Sequence, residues 1–96
     1  MKETMTAVWI FNAPRATFPA GVFSTSRQAR AWIARHRLTG VLTAYPVDEG
    51  VYDWAVRQGL FPADKPAGPA FIGSFSSAHQ EHYHFTDGVE ERSGAS

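Results

Sequence analysis

Apolar positions run along this chain in short blocks, and the period of each block predicts an element. Residues 6–12, TAVWIFN, are rich in β-branched and aromatic types and predict a strand. Val8 and Ile10 fall on one face and Trp9 and Phe11 on the other. Both faces are therefore apolar, which suits a strand inside a sheet. Ala13-Pro14 closes the run, because proline cannot donate to a ladder. Phe18-Pro19-Ala20-Gly21 reads as a turn, and 21–24 as a short strand returning in a loose hairpin.

Two blocks change to the helical period. Thr25 and Gln28 form an S/T-x-x-Q capping box ahead of Ala29, Trp32, Ile33 and His36, which recur at i, i+3, i+4 and i+7. With Gly40 as its stop signal, this predicts a helix over about 26–37. A strand at 41–46, VLTAYP, follows. A second helix over about 50–58 starts behind Asp48 and Glu49, whose charges suit a helix N-terminus. Val51, Trp54 and Ala55 share a face that Tyr52 and Val56 widen, and Gly59-Leu60 has the form of a Schellman ending.

The segment FPADKPAGPA at 61–70 holds three prolines and one glycine and reads as the main loop. FIGSF at 71–75 and EHYHF at 81–85 read as strands, the second ended by Asp87-Gly88. The order β-β-α-β-α-β-β predicts an α+β fold: an antiparallel or mixed sheet of about 4–5 strands with two helices on one face. A length of 96 residues allows one domain, set here at 6–88 between a flexible N-terminus (1–5) and a frayed polar tail (89–96).

Composition adds boundaries. Three Trp, three Tyr and seven Phe give ample apolar area for a core, and disorder is excluded. The absence of cysteine excludes disulfides, thiolate nucleophiles and thiolate metal centres. No apolar run reaches the length of a membrane span or a secretory leader, so the cytoplasm is the expected location. Nine basic and nine acidic residues cancel, which disfavours nucleic acid as partner. The cancellation hides a dipole, +3 over 1–50 and −3 over 51–96. Arg27, Arg30 and Arg37 fall along one flank of the first helix, with Arg35 round the other side, and no acid interrupts them.

Chemistry-bearing residues are few. On a strand His82 and His84 project together and can share a metal if His79 or Glu81 supplies a third ligand. They serve equally as polar positions on an outer face, and no ordered zinc spacing stands behind them. Asp48, Glu49, Tyr52 and Asp53 contain acid and base types, but the two acids at 48 and 49 have a sufficient role at the helix start. No nucleophile elbow, phosphate loop or H-E-x-x-H is present. Neither a catalytic set nor a cofactor is expected. The aromatic load is more telling: Trp9, Phe11, Tyr45, Phe71 and Phe75 are placed on strands, and Trp32 and Trp54 on helices. Two helices cover one sheet face, so the other is left to loops, a second copy or a partner.

The phrases AVWIFN, GVFS, A-x-x-W-I, LTGVLTAYPVDEGVYDWA and FIGSFSSAHQEHYH resemble a small uncharacterised bacterial domain family over about residues 6–88. The resemblance implies the α+β fold and supplies no activity. The layout is also similar, at fold level, to immunity proteins of bacterial toxin systems, which implies a protein partner, a cognate toxin. The expectation is a non-catalytic binding domain, its partner surface formed by Tyr45, Asp48, Tyr52, Asp53, His79, Glu81, His82 and His84. The alternative is a small metal protein or enzyme built on His79, His82 and His84.

Overall fold

The computed structural model describes residues 7–91; Thr6, the segment 1–5 and residues 92–96 of the polar tail lie outside the described residues. The elements are β1 (Ala7–Asn12), β2 (Gly21–Phe23), α1 (Ser26–Arg35), β3 (Gly40–Pro46), α2 (Val51–Arg57), α3 (Pro69–Gly73), β4 (His82–Thr86) and β5 (Val89–Glu90). The strands form one antiparallel sheet in the order β2-β1-β3-β4-β5, so the fold is α+β.

The register sorts the side chains. Trp9 stands opposite Phe23 and Ala44, Phe11 opposite Gly21 and Leu42, Leu42 opposite Tyr83, and Gly40 opposite Phe85. These residues share one face, and α1 lies on it. Phe11, Ala29, Ile33, Leu42 and Phe85 form the buried core, with Trp9, Phe23, Trp32, Leu38 and Tyr83 packed around it. Trp32 meets Phe11 edge-on at 5.7 Å and Phe23 at 5.2 Å, a geometry that suits the ring quadrupoles. Val8, Ile10, Val22, Val41, Thr43, Tyr45, His82 and His84 alternate onto the opposite face.

The predicted start of α1 is present: Gln28 N–H donates to Thr25 Oγ1 at 3.2 Å, and the Thr25 hydroxyl donates back to Gln28 Oε1 at 3.1 Å. The stop differs from expectation. Leu38 N–H donates to Ile33 and Arg37 N–H to Ala34, a Schellman ending with Arg37, not Gly40, in the left-handed position (φ 52°). Gly40 instead opens β3 in a gap that no side chain fits. A Cβ there would lie 2.3 Å from the Asn12 carbonyl oxygen and 2.6 Å from Phe11 Cζ. The apolar-face residue His36 is exposed at the helix end and rests edge-on against Trp32 at 5.9 Å.

Three further expectations are corrected. Asp48 does not cap α2: the N-cap is Gly50, without a side-chain bond, and Asp48 sits in the preceding turn at φ 61°. FIGSF is not a strand. Pro69 begins a short helix, because its fixed φ and missing N–H suit a first helical turn. Phe71 and Phe75 are thereby brought to one side, a turn apart. Finally, Val89–Glu90 is not a frayed tail but a fifth strand. Asp87 (φ 50°) and Gly88 (φ 85°) make the two-residue turn with both residues left-handed that antiparallel hairpins favour. Gly88 N–H donates to Leu38 and Asp87 N–H to Thr39 Oγ1, which fastens this hairpin to the end of α1. Arg30 adds an ion pair to Glu90 at 2.6 Å and lies 4.6 Å over the Tyr83 ring.

Candidate functional site

The core occupies only part of the α1 face. At the far end of the same face, Ala7, Ala44, Pro46 and Glu81 floor an open groove of about 660 Å3. Trp54 and Arg57 of α2, with Gln58 at its C-cap, form one wall, and His79 and Gln80 form another, with Tyr45, Val47 and Glu49 completing the lining. Positions 54, 57 and 58 fall on one helical stripe, so the sequence of α2 places them together.

Each wall is fixed by identifiable bonds. Arg57 donates from Nε and Nη2 to the two oxygens of Glu49, at 2.8 and 2.7 Å. This forked geometry orients both side chains. The guanidinium bonds hold the Glu49 carboxyl below its usual range, and the carboxylate raises Arg57 in return. The opposite wall hangs on Gln80, the one buried polar side chain among the described residues. Its Nε2 donates to the Ala44 carbonyl at 3.2 Å, and its Oε1 accepts from Ser77 N–H at 3.1 Å. Ala44 N–H donates to the Glu81 carbonyl at 2.9 Å, so the end of segment 77–81 is tied to β3 at Ala44 by two bonds. Beside the groove, the Tyr83 hydroxyl donates to Glu81 and its ring stacks on Trp9 at 6.1 Å. The bond to the Glu81 carboxylate, with burial and the same negative charge behind it, pushes the Tyr83 phenol above its ordinary value.

Of the expected partner residues, His79 and Glu81 line the groove; Tyr45 contributes to the lining between Ala44 and Pro46, but its side chain alternates onto the opposite face of the sheet. The others lie elsewhere. Asp48 and Asp53 are exposed around the start of α2. Tyr52, on the stripe of α2 turned away from Trp54, joins Phe61, Phe71 and Phe75 in a four-ring cluster with centroids 5.5–6.2 Å apart. His82 and His84 are exposed on the opposite face of the sheet, their rings 5.5 Å apart. The expected three-histidine group is thus divided: His79 faces the groove, and among the described residues no three potential metal-ligating side chains converge.

Sequence reasoning missed the residues that shape the groove. Trp54 read as part of a single apolar helix face, whereas it and Tyr52 serve different surfaces. The Glu49–Arg57 pair spans eight residues and follows no helical spacing rule, because Glu49 precedes the N-cap. Gln80 has no local signature, since its partners lie 3 and 36 residues away.

The family model "Domain of unknown function (DUF7710)" matches residues 8–91. The chain belongs to the DUF7710 family. The DUF7710 match runs from within β1 through β5, so the sheet and the groove, Ala7 apart, and the aromatic cluster fall inside it. No curated protein and no solved structure matches the chain. Among the described residues of this DUF7710 domain, no helix is long and apolar enough to cross a membrane. No buried side-chain nitrogen or oxygen among them lacks a hydrogen-bond partner.

Proposed function

We propose that this domain is a cytoplasmic protein-binding module without catalytic activity, and that it acts as an immunity-type inhibitor by sterically occluding one protein partner. The observation that carries the reading is the groove walled by Trp54 and Arg57. Tryptophan and arginine are among the side chains that most often dominate binding energy at interfaces, and here both line one concavity. The Glu49 bond pre-orients Arg57, which lowers the ordering cost of a contact made there. His79 on the facing wall and Glu81 on the floor supply polar partners at the edge of that contact.

The test is recovery of a stoichiometric partner from the native host, followed by affinity measurement with Trp54→Ala and Arg57→Ala. Each variant is expected to weaken binding by about 2 kcal/mol, roughly thirtyfold, with the fold retained by circular dichroism. A complex indifferent to both substitutions, or the absence of any stoichiometric partner, overturns the reading. For the immunity form, co-expression with a toxic partner restores growth, and Trp54→Ala abolishes that protection.

A further inference from the structure

The groove leaves His82 and His84 unused, and their setting is more defined than two exposed polar residues require. The geometry points to a two-histidine site for a divalent transition-metal ion, Cu2+ foremost, on the sheet face opposite α1. Residues i and i+2 of a strand stand about 6.7 Å apart along the backbone. The two imidazole centroids are 5.5 Å apart, so the rings lean toward one another.

One ring is also held in place. His82 Nδ1 lies 2.7 Å from the Gln80 carbonyl oxygen, which can only accept, so Nδ1 carries the proton and donates. Nε2 is then the lone-pair nitrogen. A histidine whose second nitrogen donates to a backbone carbonyl is the arrangement that orients imidazole ligands in metal sites. The carbonyl is itself rigid, because Gln80 is buried and bonded through both ends of its amide. Facing the pair across the ladder are Thr43, opposite His82, and Val41, opposite His84. Neither brings a charge that repels a cation. Water fills the coordination positions the two imidazoles leave free. Imidazole suits copper, nickel and zinc, and affinity among them peaks at Cu2+.

The experiment is titration of tag-free protein with CuCl2, followed by calorimetry and by paramagnetic broadening of backbone amide signals. One equivalent binds, and broadening centres on residues 41–43 and 82–84. His82→Gln and His84→Gln each weaken binding by roughly tenfold or more, as the second, intramolecular contact is lost. His79→Gln and His36→Gln leave it unchanged. Unaltered affinity in His84→Gln, broadening centred elsewhere, or equal loss in His79→Gln overturns the site. Because Trp54→Ala leaves this binding intact, failure here is separable from failure of the groove.

Discussion

Leu42 and Phe71 are both large apolar residues, and the molecule treats them in opposite ways. Leu42 is 0% exposed, enclosed by β1, β4 and α1, and it shares its contacts with Phe11, Ile33 and Phe85. Phe71 is 45% exposed and sits in a cluster built from α2, α3 and the loop between them, with Leu60 and Ile72 also exposed. The first region is organised by non-local ladders, so each residue is constrained by elements distant in sequence. The second is local, spanning residues 52–75, and its rings pack chiefly on one another. Burial depth, not the number of aromatic rings, separates a core from an appendage.

The contrast makes ordered predictions. Leu42→Ala should be the most damaging, at about 3–5 kcal/mol, because the packed site around it cannot collapse. Urea unfolding with an unchanged m-value measures it. Gly40→Ala comes next, at about 2–3 kcal/mol, since the added methyl must push aside the Asn12 backbone and the Phe11 ring. Phe71→Ala should cost only about 1 kcal/mol, with faster hydrogen exchange confined to residues 52–75. A loss equal to that of Leu42→Ala would mean that the two regions melt as one core.

Two smaller effects concern pH. Glu49 titrates below its ordinary value in the folded state. Its contribution is therefore present above the unfolded pKa and fades as pH falls through the lower folded one. Acid titration should show a small loss of stability below about pH 4.5 that Arg57→Ala removes. Tyr83 has the opposite sign. Its raised pKa means that its contribution is complete below about pH 10 and is lost as pH rises through the folded value. Absorbance at the tyrosinate band should show the late titration, and Glu81→Gln should bring it earlier.

The same division governs how much could be read from sequence. The sheet region was largely legible. Inner-strand character at 7–12, the Thr25–Gln28 box and the Gly59-Leu60 ending rest on local chemistry, and the structure carries all three. Segment 71–75 misled because its aromatic content fits a strand, although Gly68-Pro69 immediately before it is a helix-start signal. Asp87-Gly88 reads as a strand end, yet the same pair favours a hairpin with whatever follows. At the site, His79 and Glu81 were named and both line the groove. Trp54, Arg57 and Gln80 were not, because their roles depend on how α2 and segment 77–81 lie against β3.

The hairpin that fastens to the end of α1 has a further consequence, for the timing of assembly. Phe85 closes the core, and the bonds from Asp87 and Gly88 to Thr39 and Leu38 join residues 48 and 50 positions apart. During synthesis β1, α1 and β3 emerge well before β4, so Leu42 and Ile33 wait, incompletely covered. At about 5–20 residues per second the delay lasts seconds. A chain halted before Phe85 exposes the apolar surface that the finished fold hides, and quality-control factors should engage it there rather than at the aromatic appendage.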